Sequence, residues 1–210
     1  MSVAAITVPS MSAAVISSTI ISMARWESDS RGRLEHAALT LYGERGFENT
    51  TVAEIAERAG LTERTFFRHF ADKREVLFSG AGALQDLLVT NVAHAPASAS
   101  PLEAVAAALD AAGALLQERR KFAGQRQAII AASAELRERE LIKLASLAAA
   151  LAEALRQRGV KDPAASLTGE IAVAVFKTAF ERWVMESNKR DLPHVMRDSL
   201  AALKAVTAGA

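Results

Sequence analysis

Residues 50–78 read TTVAEIAERAGLTERTFFRHFADKREVLF, and this stretch decides the fold. Thr51 stands just before the apolar positions Val52, Ile55, Ala56 and Ala59, with Glu54 three residues after it. A hydroxyl followed at that spacing by a glutamate is a capping box, in which each side chain satisfies the other residue's backbone N–H, so a helix starts here. The helix is short, because Gly60 stops it. Thr62 follows at once as the cap of another short helix, with Thr65, Phe66, Phe67 and Phe70 inside two turns. Two short helices joined by Ala59-Gly60-Leu61, the glycine allowing the tight bend, make a helix-turn-helix unit. Asp72 is then expected to cap a fourth helix, with Glu75 at its third position and Leu77, Leu84 and Leu88 along one stripe.

Upstream, Leu34, Ala38, Leu41 and Tyr42 fall at i, i+4, i+7 and i+8, one apolar stripe that predicts a helix from about Ser30 to Gly46, with Phe47 folding back. A three-helix head over residues 29–75 results. Residues 1–24 carry no charge, and the first cation, Arg25, lies on the wrong side of the apolar run for an export signal. Hydroxyls and Pro9 interrupt the run, which makes it a poor membrane span. Residues 1–28 are therefore read as a disordered extension or a start assigned too early, with Met23 the initiator, and are set apart from the folded body.

The chain has 210 residues, half of them hydrophobic and 23% charged, which suits one or two globular domains rich in helix-forming residues. An all-α fold is expected. There is no cysteine, and His36, His69, His94 and His194 are scattered, so no metal or disulfide is expected. Phosphate-binding, nucleophile-elbow, zinc-protease and dinucleotide motifs are absent, which argues against an enzyme and against a cofactor. Net charge is +1, and from Arg25 to Glu75 nine cations face ten acids. Any affinity for nucleic acid must come from how the cations are arranged.

The run from Thr50 to Phe78, with Gly46-Phe47 before it, resembles the signature of the TetR family of one-component transcriptional repressors. A looser likeness to the acyl-CoA-like ligand-binding C-terminal domain of that family rests on Ala134-Glu135-Leu136-Arg137-Glu138-Arg139-Glu140 and on Leu192-Pro193. The resemblance implies backbone contacts to DNA at Thr51, Phe67, His69 and Lys73, and base contacts mainly from Thr62 to Thr65. Phe67 departs from the family, which commonly has tyrosine there, so a hydroxyl-to-phosphate bond is lost and Arg68 is the candidate to replace it.

Spacing and chemistry point the same way. A recognition helix meets base edges with its N-terminal residues while its positive end and hydroxyls meet phosphate. Val52, Ile55, Ala56, Phe66 and Phe70 should bury, leaving Thr62, Glu63, Arg64, Thr65, Arg68 and His69 on outward or flanking faces. Arg64 suits a guanine edge and Thr65 a thymine methyl or a base acceptor. Thr51, Arg68, His69 and Lys73 suit phosphates, and Arg25, Arg31 and Arg33 are placed to reach a phosphate or the minor groove.

Residues 93–101 are small, polar and proline-marked, a loop into a second helical body. Helices are predicted at about 101–119, opened by Ser100, Pro101 and Glu103, then at 124–133, 136–158, 163–187 and from Pro193 onward. Arg119-Arg120-Lys121 is read as a helix C-terminus, with an anion site as the alternative. In the helix from Pro163, Val173, Phe176, Phe180 and Val184 form one stripe and Leu167, Ile171, Ala174 and Thr178 another, so one face needs a partner unless both bury in one subunit. With Leu200 and Leu203 of the last helix, these make the expected homodimer interface, and in the resembled family the last two helices pair in this way. Phe122, Arg126, Phe176, Phe180, Trp183 and Met185 are candidates to line an effector cavity, against the plainer reading as core.

The combined reading is a cytoplasmic, homodimeric helix-turn-helix regulator. Residues 76–210 would form its effector-binding and dimerisation domain, with a double-stranded palindromic operator and an acyl-CoA-like or other apolar effector as partners and no membrane. Its alternatives are a helical ligand-binding or interaction module that does not read DNA, and a membrane-tethered variant resting on residues 1–22.

Overall fold

The computed structural model of the chain describes the backbone of residues 13–185 and 190–208, with side chains from residue 29 onward. Of the extension expected over residues 1–28, residues 1–12 lie outside the described residues, while the backbone of 13–28 is helical and continuous with the first helix, which the spacing predicts only from about Ser30. The described residues form helices and turns: α1 Ala13–Arg45, α2 Val52–Arg58, α3 Glu63–His69, α4 Ala81–His94, α5 Pro101–Gln117, α6 Arg120–Ala132, α7 Ala134–Gln157, α8 Ala164–Met185 and α9 Leu192–Thr207. The all-α expectation holds.

The head is α1 to α3. Leu34, Ala38, Leu41 and Tyr42 of α1 bury against Ile55 of α2, Phe66 of α3 and Phe70. Burying a side chain the size of Phe66 stabilises the fold by about 1.5–3 kcal/mol. Both caps form as the spacing required. Thr51 Oγ1 accepts from the Glu54 N–H at 3.3 Å while the Thr51 N–H donates to the Glu54 carboxylate at 2.9 Å, and Thr62 Oγ1 accepts from the Thr65 N–H at 3.2 Å. Gly60 takes φ +64°, a left-handed conformation that lets α3 turn back across α2 within the four residues 59–62.

The fourth helix does not begin at Asp72. Residues 71–80 form bends and turns, and α4 starts only at Ala81. Asp72 Oδ1 does accept from the N–H groups of Arg74 and Glu75, at 2.8 and 3.1 Å. The carboxylate that would close the capping box is drawn elsewhere: Glu75 Oε1 accepts from Arg139 Nη2 and Nε at 2.5 and 2.8 Å, and Glu75 Oε2 from Lys143 at 3.2 Å, both cations on α7. Val76, Leu77 and Phe78 bury in the head's core, and tertiary burial overrides the local helix preference.

Helices α4 to α9 make the body. Its core gathers Leu88, Val92, Leu109, Leu151, Leu155, Phe176, Trp183, Val195 and Met196. Helix α5 carries the expected Ser100/Glu103 capping box with Pro101 in its first turn, and Asp191 caps α9. Helices α7 and α8 approach closely at Gly169, where a Cβ would stand 2.5 Å from the Ala148 carbonyl oxygen. Arg119-Arg120-Lys121 corrects its expectation: α5 has ended at Gln117, and the cluster opens α6. Arg120 instead serves the end of another helix, donating to the Trp183 carbonyl of α8 at 2.6 Å.

Among the described residues no helix is long and apolar enough to cross a membrane, and no group of side chains is arranged to hold a metal ion.

Candidate nucleic-acid interface

Helix α3 is seven residues long and buries one of them, Phe66. That single anchor turns the rest of the helix outward. Thr62, Glu63, Arg64 and Arg68 are exposed, Thr65 and His69 are half-buried, and Phe67 is 55% exposed with its ring edge-on to Phe66. The Thr62 and Thr65 hydroxyls lie 3.0 Å apart, so the cap holds both at the N-terminal end of the helix. Thr51, exposed at the start of α2, presents a second N-terminus on the head.

The head's balanced charge becomes intelligible once its cations are followed one by one. Arg45 pairs with Glu54 at 2.8 Å and Arg58 with Glu44 at 2.9 Å. Arg74 holds Asp72 at 2.5 Å and Glu135 of α7 at 2.9 Å. Arg31 donates to the Ser79 carbonyl at 2.9 Å, and Arg33 clamps the carbonyls of Ala59 and Gly60 in the turn between α2 and α3. Arg31 and Arg33 thus have partners inside the protein in place of the expected phosphate or minor groove, and the side chain of Arg25 lies outside the described residues. Among the described residues, Arg64 and Arg68 are the head's cations without an ion pair or hydrogen bond. They sit four residues apart on α3, one turn of helix.

Lys73 also departs from its expectation. Its ammonium donates to the carbonyls of Phe47 at 2.9 Å, Thr50 at 3.0 Å and Glu48 at 3.4 Å, and lies 4.3 Å from the Phe47 ring centre. Tyr42 donates to the Lys73 carbonyl at 2.6 Å, and burial pushes the tyrosine hydroxyl well above its ordinary pKa. Lys73 therefore fixes the turn that delivers Thr51 to the surface. The hydrogen bond from the Thr51 backbone holds the Glu54 carboxylate below its usual range, which keeps the α2 cap charged.

The expected effector residues do not gather at one site. Phe176 stacks on the partly buried Phe180 at 5.8 Å, and Phe180 meets the fully buried Trp183 at a tilt, 5.7 Å between ring centres, at the body's core; Met185 is 85% exposed. Phe122 packs against the head's cluster instead. Arg126 donates to the Leu77 carbonyl at 2.6 Å and to Glu140 at 3.2 Å, with its guanidinium 5.0 Å from the Phe78 ring centre, a place between head and body. A cleft of about 760 Å³ opens on the head between α1 and the end of α2, lined by Gly32, Arg33, His36, Thr40, Glu57 and Gly60 among others.

On α8, Leu167 is 59% exposed, Ala174 and Thr178 are exposed and Ile171 is half-buried, an outward apolar stripe. On α9, Leu200 is buried in its own subunit and Leu203 half-buried, because the helix turns that side toward α8. Sequence reasoning missed Arg33, Glu75 and Arg139 as structural ties; their partners lie 26 to 68 residues away, and no local pattern announces them.

Comparison with known proteins follows these two halves. The profile of bacterial regulatory proteins of the tetR family matches residues 35–79, and that of the MftR C-terminal domain matches residues 99–208. The HTH-type transcriptional regulator TcmR of Streptomyces glaucescens is 40% identical over 81 residues, 39% of this chain and 36% of its own. The HTH-type transcriptional repressor KstR2 of Mycobacterium tuberculosis is 40% identical over 47 residues, 22% of this chain and 24% of its own. The matches thus span about a third of these relatives or less. Two solved structures share the fold: FadR from Bacillus subtilis in complex with stearoyl-CoA, with a TM-score of 0.56 at 21% identity over 81% of this chain and 96% of that one, and a SmeT–triclosan complex, with a TM-score of 0.62 at 20% identity over 84% and 90%. With its head and most of its body matched by the two profiles, the chain belongs to the TetR family of bacterial transcriptional regulators.

Proposed function

We propose that this regulator is a cytoplasmic homodimer that binds an inverted-repeat operator and represses transcription until an apolar small molecule binds its body. The observation that carries the reading is the outward pair Arg64 and Arg68 on α3, without an ion pair or hydrogen bond, while the head's other described cations each hold a carboxylate or a backbone carbonyl. Arg64 reads a base edge beside Thr62, Glu63 and Thr65, while Arg68, His69 and Thr51 take phosphates and the exposed Phe67 ring packs on sugar or a thymine methyl. The outward stripe of α8 supports a dimer, and two heads related by a two-fold axis require two half-sites.

An effector that favours a body conformation with mismatched heads lowers operator affinity by the difference in its affinity for the two conformations. FadR carries stearoyl-CoA and SmeT carries triclosan in this fold, which supports an apolar effector. Phe176, Phe180 and Trp183 would then part to form the wall of its cavity.

The test is selection of bound duplexes from a random-sequence pool by the purified full chain, followed by affinity measurement on the enriched sequence. Recovery of an inverted repeat whose half-sites lie about one helical turn, or a small multiple, apart is expected. Enrichment of no sequence at all would mean a helical module that does not read DNA.

A further inference from the structure

Head and body are joined at a segment that is not a helix. In residues 73–80 the groups at 73, 75, 77 and 79 are pinned from three helices, α1, α6 and α7. The carbonyl of Lys73 accepts from Tyr42 of α1, and the Ser79 hydroxyl donates to Glu35 of α1 at 2.8 Å. Those two ties lie within the head. The other two reach the body: the Glu75 carboxylate is shared by Arg139 and Lys143 of α7, and the Leu77 carbonyl accepts from Arg126 of α6. The apolar packing agrees, since Ile129 and Ile130 of α6 and Leu136 of α7 belong to the head's cluster and not to the body's. The elbow between α6 and α7 thus grips the head at a place separate from the covalent link through α4.

Of these ties the one at Arg126 is the most directional. Its side chain is 20% exposed, and its guanidinium is placed by three different groups: the Leu77 carbonyl at 2.6 Å, the Glu140 carboxylate at 3.2 Å and the face of Phe78 at 5.0 Å. A planar guanidinium fixed on three sides holds orientation more firmly than a flexible ammonium can. Without it, the head would be held by α4, by apolar contacts that tolerate sliding, and by side-chain pairs that end on α7 or at its cap: Glu75 with Arg139 and Lys143, Arg74 with Glu135, and Glu48 with Ser133.

We propose that Arg126 is a positioning residue for operator recognition: by tying α6 to the Leu77 carbonyl it sets the angle of the head on the body, and so the half-site spacing that the dimer accepts. It touches no DNA. Glu75, held by Arg139 and Lys143, is the second strut of the same joint. The inference rests on the dimeric, DNA-reading function proposed above.

The experiment uses the full-length chain and a synthetic inverted repeat of the half-site recovered by selection, with base pairs added or removed at its centre one at a time. Each step moves one half-site by about 3.4 Å and turns it by about 35° around the duplex axis. The unaltered chain should show a sharp optimum of spacing. Arg126→Met, which keeps the length and burial of the side chain, should flatten that optimum, reducing the penalty for a displaced half-site by about two- to thirtyfold while leaving base preference within each half-site and the salt dependence of binding unchanged. Arg126→Lys, which retains a donor for the Leu77 carbonyl, should restore part of the optimum. If Arg126→Met does not fold, Glu75→Gln carries the same test at the partly exposed strut, with a flattening of the same kind.

A uniform loss of affinity at every spacing would overturn the proposal, because it would mark a residue that matters only for stability. An unchanged spacing profile in a folded variant would overturn it as well. If the unaltered chain itself has no preferred spacing, the failure lies with the dimeric operator reading and not with Arg126 alone.

Discussion

The head and the body leave opposite things on their surfaces. In the head, Arg31, Arg33, Arg45, Arg58, Lys73 and Arg74 are each tied to a carboxylate or a backbone carbonyl, and the outward chemistry is concentrated in Arg64 and Arg68 on one short helix. In the body, the notable surplus is apolar: Leu167 and its neighbours on α8 face outward, while Phe176 and Trp183 of the same helix fill the core. On the function proposed, a chain of almost no net charge would address a polyanion with one surface and a copy of itself with the other. Each surface is defined by what the internal contacts leave over.

Substitutions can probe either surface. The largest effect is expected in the head's core, where Phe66→Ala removes the one buried anchor of α3 and should cost about 3–5 kcal/mol. In thermal unfolding a head-specific transition should fall while the body's persists; a loss shared equally by both halves would show that they unfold as one unit. On the body side, Leu167→Glu places a charge in the outward stripe of α8 and should weaken self-association by about 2–4 kcal/mol, read as a shift toward monomer in sedimentation at micromolar concentration. An unshifted dimer would move the interface off this face.

Arg64→Ala should cost about 1–3 kcal/mol at the recovered operator and relax preference at one base pair, measured by competition against single-base variants. Equal losses on operator and random duplex would make Arg64 a phosphate contact. The smallest effect concerns pH. The folded pKa of Glu54 lies below its unfolded value, so its charged form stabilises the fold above the ordinary glutamate range and that contribution is lost as pH falls through the folded pKa. Glu54→Gln keeps the capping geometry and removes the charge, so the gap in urea midpoint between it and the unaltered chain should close as pH drops below about 4.

What could be read from residue order follows the distance between partners. The caps at Thr51/Glu54 and Ser100/Glu103 each close within three residues, and both stand in the structure as spacing required. The alternation of inward and outward stripes on α8 is likewise local to one helix. Asp72-Lys73-Arg74-Glu75 has the same capping pattern and does not form a helix, because Arg139 and Lys143, 64 and 68 residues away, compete for the glutamate. Lys73 looks like a phosphate ligand in one dimension; only the fold brings the carbonyls of Phe47 and Thr50 beneath it. Leu200 shares an apolar period with Leu203, and periodicity alone does not say which side of α9 meets α8.

On the function proposed, the duplex meets the untied cations of α3 and not the tied ones. The salt dependence of operator binding tests it most directly, because each phosphate contact contributes about 0.9 to the slope of log affinity against log salt. Arg68→Ala should lower that slope by about 0.9 for each head, while Lys73→Met, which removes an ammonium already bound to three carbonyls, should leave the slope unchanged and lower stability instead. A reduced slope for Lys73→Met together with an unchanged slope for Arg68→Ala would contradict it.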